Sequence, residues 1–238
     1  MKTSFLLMIT AILGLFFNQQ LSAQNCKFFV PTEKGTKLEY TMFDRNGREQ
    51  AKQTQTISDV KQQSGKTIAV VEASAVPKRG SEEAKPTTFE LKCEGGKFFM
   101  NMEPFVSSFN YQQYQNLPGS EVTIQSDDLY YPSDMAVGSK LPDGNLEVTV
   151  NINEIPMINA KISIVNRKVE KKESITSSAG TFECLKVTSE IVTTTSFSDG
   201  AKTKVIQWVA EGVGVVKSES LMDDGKLISY ELLTKIEK

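Results

Sequence analysis

Histidine is absent from the 238 residues. That removes Ser-His-Asp and Cys-His nucleophile systems, His-ligated zinc and the commonest general base near neutral pH. Cysteine occurs three times, with no Cys-x-x-Cys, so no zinc ribbon or thioredoxin-like redox pair is encoded. No G-x-x-x-x-G-K-[ST] is present to cradle a phosphate. A Gly-x-Gly at Gly212 and Gly214 lacks the third glycine of a dinucleotide fingerprint, and Asp223-Asp224-Gly225 lacks the further acids of an EF-hand loop. No catalytic residue, metal ligand or cofactor is expected.

An excess of either charge is lacking too. The chain carries 27 basic and 29 acidic residues, which gives no electrostatic reason to expect nucleic acid or an anionic membrane as partner. The densest run, Arg167-Lys168-Val169-Glu170-Lys171-Lys172-Glu173, mixes signs and reads as a solvated strand face.

Long apolar runs are confined to the start. Lys2 precedes an apolar stretch at 5–17 (F-L-L-M-I-T-A-I-L-G-L-F-F), followed by small Ser22 and Ala23. This is the pattern of a secretory signal at 1–23, cleaved between Ala23 and Gln24. The run is too short to span a bilayer, which takes roughly 20 apolar residues, and no later stretch approaches that length. Cys26 just beyond it raises the alternative of a lipoprotein signal, but Asn25 stands where lipid attachment wants a small residue. An exported chain can form one disulfide among Cys26, Cys93 and Cys184, and the sequence leaves all three pairings open.

What the chain has in quantity is alternation broken by turns. The stretch 38–43 (L-E-Y-T-M-F) runs into D-R-N-G at 44–47, a hairpin signal. Strands are expected at 49–60, 67–76, 87–93, 97–102, 146–152, 160–175, 182–196, 202–210, 213–221 and 227–235. Turns are expected at E-G-G (94–96), S-D-G-A (198–201) and D-D-G-K (223–226). A charged, proline-bounded loop is expected at 77–86 and a turn-rich crossing at 137–144. This spacing predicts one all-β domain over 24–238, an antiparallel meander forming a curved sheet, half-barrel or β-sandwich. At 104–116 (P-F-V-S-S-F-N-Y-Q-Q-Y-Q-N) Phe105, Phe109 and Tyr114 share a helical face. A short helix there would close the core as an aromatic plug or cover a ligand cavity as a lid. Trp208 is expected to anchor the core, with Gly212 and Gly214 making a tight turn or bulge.

Four stretches carry a family resemblance: C-K-F-F-V-P-T-E-K-G-T-K-L-E-Y-T-M-F-D-R-N-G-R (26–48), V-G-S-K-L-P-D-G (137–144), S-S-A-G-T-F-E-C-L-K-V-T (177–188) and W-V-A-E-G-V-G-V-V-K-S-E (208–219). The pattern A-G-T-F-x-C with a later W-x-A-x-G-V-G-x-V resembles the TapB-like group of exported bacterial proteins, a domain of unknown function. The resemblance implies an all-β protein of the periplasm, or secreted to the cell surface, of a Gram-negative bacterium, and brings no catalytic residues. The expected function is non-enzymatic: a binding or carrier module with an apolar small molecule on the concave face of the sheet. The alternative is an envelope module that binds a protein through loops or a sheet edge. Last comes a carboxylate-dependent hydrolase. Its acid pairs Glu82-Glu83, Asp127-Asp128 and Asp223-Asp224 all fall in expected loops.

Overall fold

The computed structural model describes residues 26–78, 86–100, 102, 117–127, 129–195 and 198–238. The signal at 1–23, the acids Glu82 and Glu83, Asp128, and the expected helix at 104–116 with Phe105, Phe109 and Tyr114 lie outside the described residues.

The described chain is all-β. Thirteen strands run β1 (Lys37–Asp44), β2 (Glu49–Gln63), β3 (Lys66–Pro77), β4 (Thr87–Glu94), β5 (Lys97–Met100), β6 (Ser120–Ser126), β7 (Leu129–Pro132), β8 (Gly144–Ile152), β9 (Ile155–Ser177), β10 (Gly180–Thr195), β11 (Ser198–Ala210), β12 (Gly214–Leu221) and β13 (Leu227–Glu237). Alternation decides which residues turn inward. In β8, Leu146, Val148 and Val150 are fully buried while Glu147 and Thr149 point the other way. Turn chemistry sets the hairpins. The Asp44 carboxylate accepts N–H bonds from Asn46 and Arg48, both at 2.9 Å, and closes the D-R-N-G turn between β1 and β2.

All strands join one antiparallel sheet in the order β6-β8-β9-β10-β11-β12-β13-β1-β2-β3-β4-β5-β7. Its two edge strands, β6 and β7, are consecutive in the chain and separated by residues 127 and 128 alone. A flat sheet of this width would span roughly 55–60 Å at about 4.8 Å per strand. The short link reaches only about 11 Å. The sheet must therefore curl until its edges approach. The side chains agree: Leu129 of β7 packs with Leu146 and Val148 of β8 and with Ile162 and Ile164 of β9. Among the described residues the edges do not pair, so the curl is one open antiparallel sheet, a half-barrel not closed into a barrel.

The main core fills the curl. Ile57, Val71, Leu91 and Phe98 from the β2–β5 limb meet Val169, Val187 and Val209 from β9, β10 and β11. A second cluster gathers Leu38, Tyr40, Cys184, Trp208, Val216 and Leu233.

Two sequence expectations need correction. The S-D-G-A segment is not a turn; β11 already begins at Ser198. Thr195 pairs with Ser198 and Thr193 with Ala201 across a register shift, so Gly200 (φ +109°) marks a bulge, the other common use of glycine in a strand. The run at 167–173 is solvated on one face only. Arg167 and Val169 point into the core, at 3% and 0% exposure.

Candidate functional site

The stretch at 207–220 is a seat for the N-terminal segment. β11 ends at Ala210 and β12 begins at Gly214. Between them, the Gly212 N–H donates to the Phe28 carbonyl at 2.7 Å. Gly214 adopts φ +112°, and a side-chain carbon there would lie 3.0 Å from the Phe29 carbonyl oxygen. Only glycine combines that backbone conformation with so close an approach. Trp208 is buried in the second cluster, as Ile206 and Ala210 on its face are in part or whole. Its indole N–H donates to Glu173 at 2.7 Å, and the Lys217 and Lys186 ammonium groups lie 4.7 and 5.4 Å from the ring. The Glu173 carboxyl is held below its usual range by Lys171 and by the Trp208 N–H.

The cysteines divide between these elements. Cys26 and Cys93 form a disulfide, with Cα atoms 5.9 Å apart. Cys184 is free and buried, and burial, with the charges of Glu183 and Glu173, pushes its thiol up to about 11. It is therefore a packed, protonated thiol at neutral pH.

Where the core reaches the surface, an open cleft of about 690 Å³ lies between the N-terminal segment, the 135–137 turn, the distal part of the β9–β10 hairpin (Lys172 and 181–185) and the β11–β12 turn. Its floor is apolar, formed by Phe29, Met135, Phe182, Leu185, Val209 and Val213. Two exposed ion pairs stand on its rim, Lys27–Glu211 at 3.3 Å and Lys172–Glu183 at 3.7 Å. Each contributes little to stability and leaves its lysine free to turn toward an incoming group. All four stretches that carry the family resemblance supply its walls: Lys27 and Phe29, Val137, Thr181 to Leu185, and Val209 to Val213.

A polar tract also crosses the interior, and the sequence reading did not single it out. The Arg167 guanidinium donates from Nη1 to the carbonyls of Pro142 (2.6 Å) and Tyr130 (3.2 Å) and lies 5.1 Å from the Tyr131 ring centre. Among the described residues its Nη2 has no hydrogen-bond partner. Tyr131 donates its hydroxyl to Gln207 at 3.2 Å. Gln207 is the cross-strand partner of Ser218, and Ser218 that of Glu231. No ion pair or hydrogen bond among the described residues reaches the Glu231 carboxyl, and burial pushes it up to about 7.

The curled open sheet is a known architecture. A protein assigned as exported, with a YmcC-like fold, from Bacteroides fragilis NCTC 9343 superposes with a TM-score of 0.71 at 23% identity, covering 90% of this chain and 100% of that one. A protein assigned as a lipoprotein from Parabacteroides distasonis ATCC 8503 gives 0.72 at the same identity and coverage. These similarities establish the YmcC-like fold. Residues 33–233 match the DUF3108-like family, and the chain belongs to that family. No curated protein matches the chain at a significant level.

Proposed function

We propose that this protein is an exported, non-enzymatic binding module of the cell envelope, and that it holds an apolar small molecule in the cleft floored by Phe29, Met135, Phe182 and Val213. The observation that carries the reading is the cleft itself. Its volume is in the range of small-molecule sites, its floor is apolar, and four distant stretches of chain build it. The ligand position differs from the one expected on the concave face, because side chains of the main core fill that face. Export rests on the signal pattern at 1–23 and on the exported and lipoprotein assignments of the two similar structures. The narrower TapB-like grouping rests on the four stretches alone. Native mass spectrometry of gently purified protein tests the proposal. The expected result is a mass beginning at Gln24, carrying one disulfide and a retained apolar ligand. Protein that is ligand-free from several preparations, and takes up no lipid extract, would refute it.

A second reading, a protein-interaction module, has its own observation. The hairpin register pairs Gly180, Phe182 and Cys184 with Ser177, Ile175 and Glu173. With a two-residue turn, these pairs exchange the ladder bonds, so Thr181 and Glu183 direct their N–H and C=O groups away from β9. β11 pairs with β10 only from Leu185 onward, so among the described residues this short edge beside the cleft has no strand partner. It could accept an extended segment of an envelope protein as an added strand. A photo-crosslinker at position 183 is expected to capture one reproducible envelope protein, and repeated failure counts against this reading.

A further inference from the structure

One wall of the cleft is the segment that leads into β1. Residues 26–30 precede β1, yet Lys27 and Phe29 line the cleft, and Phe29 and Val30 are buried in the main core. Two polar contacts of its backbone hold this wall: the Lys27 N–H donates to Ser133 Oγ at 3.0 Å, and the Phe28 carbonyl accepts from Gly212. Phe28 and Phe29 both meet the Phe98 ring edge-on at 5.7 Å, and Phe29 meets Tyr131 at 5.3 Å. The covalent tie is the Cys26–Cys93 bond, and Cys93 is the cross-strand partner of Phe98. The bond and the aromatic contacts thus clamp the wall to the same point of the β4–β5 hairpin.

We propose that the Cys26–Cys93 disulfide is a redox latch on the cleft, closed when oxidised and released when a dithiol reductant opens it. The proposal rests on the cleft being the binding site. The two sulfurs are unequal: Cys26 is half-buried and Cys93 only 2% exposed. A reductant thiolate therefore attacks the Cys26 sulfur and forms a mixed disulfide, and the Cys93 thiolate leaves and takes up a proton. The second thiol of the reductant then resolves the mixed disulfide. Two electrons and two protons pass to the protein, leaving two cysteine thiols and an oxidised, disulfide-bonded reductant. Cys184 also lines the cleft, but its raised thiol pKa leaves little thiolate to divert the exchange. Release frees the start of the wall, which is then held by two hydrogen bonds, the exposed Lys27–Glu211 ion pair and the burial of Phe29 and Val30. The same sulfur cannot carry a lipid thioether while it serves as the latch, so the latch also requires a Cys26 that is not lipidated.

Hydrogen exchange and probe binding, read on the same samples, test this. The samples are the oxidised protein, protein reduced with dithiothreitol, and the Cys26→Ser variant; the probe is N-phenyl-1-naphthylamine. On reduction, the rate at which the amides of 27–30 exchange is expected to rise at least about tenfold more than that of the β12 and β13 amides, which report only the change in global stability. Probe affinity is expected to fall at least about tenfold. Unchanged exchange at 27–30 in the reduced protein overturns the latch. So does an equal rise at 27–30 and throughout the sheet, which would make the bond a global staple only. If oxidised protein never binds the probe but its wall still loosens on reduction, the movable wall stands and the binding reading fails.

Discussion

Glu231→Gln should stabilise the protein at alkaline pH and hardly affect it in acid. Glu231 lies on β13 between Met42 of β1 and Ser218 of β12, two residues from the fully buried Leu233. Burial alone raises its carboxyl from 4.5 to about 7. The folded state therefore binds the proton more tightly than the unfolded chain. The stability linked to this group is fully present below pH 4.5 and is lost as pH rises through about 7. At about 1.4 kcal/mol per pKa unit, the shift corresponds to about 3 kcal/mol at most, and to about 2 kcal/mol allowing for residual solvent contact. Glutamine keeps the shape and cannot ionise. Urea unfolding followed by the fluorescence of Trp208, the single tryptophan, should show the variant more stable by about 2–3 kcal/mol at pH 8. At pH 4.5 the two proteins should agree within about 0.5 kcal/mol. An equal difference at both pH values, or a variant less stable at pH 8, would refute the reasoning.

Three further outcomes follow from the same geometry. Gly214→Ala should cost about 2–3 kcal/mol, because it adds a clash with the Phe29 carbonyl to a positive φ. Gly212→Ala, with open space around its Cβ position, should cost only about 1–2 kcal/mol. Urea midpoints at unchanged m-value compare the two. Removing the disulfide by Cys93→Ala should cost about 4 kcal/mol on the loop-closure model for its sequence separation of 67, read by thermal or urea unfolding. Trp208→Phe deletes the donor to Glu173 and should move that carboxyl back up toward its ordinary range. Carbon-13 NMR of the Glu173 carboxyl reads the shift, and an unmoved titration would contradict the assigned bond.

The strands were legible where one face is buried and the other wet. L-E-V-T-V-N-I in β8 announces its inward Leu146, Val148 and Val150, and D-R-N-G announces its turn through the Asp44 carboxylate. Glycine was ambiguous. S-D-G can make a turn or a bulge, and only the pairing of Thr193 with Ala201 decides for the bulge at Gly200. Arg167 was hidden in a run of mixed charge, since nothing local says that the 137–144 crossing will pack against β9 and cover it. In β13 both faces carry apolar residues, so the phase that sends Glu231 inward with Leu233 could not be chosen from the sequence. The cleft was the least legible feature. Its walls come from four separate stretches, brought together by the curl of the sheet and the tie from Cys26 to Cys93. The glycines of the 207–220 stretch seat the segment that forms one wall of the cleft.

The binding claim is tested most directly by titrating oxidised protein with N-phenyl-1-naphthylamine beside the double variant Val137→Glu/Val213→Glu. Val137 is 57% exposed and Val213 lies in the β11–β12 turn, so both charges enter the cleft without disturbing a strand. The account predicts saturable binding by the unsubstituted protein and at least about a tenfold loss of affinity in the variant, with unchanged circular dichroism. Equal binding by both proteins, or no saturable binding by either, would contradict it.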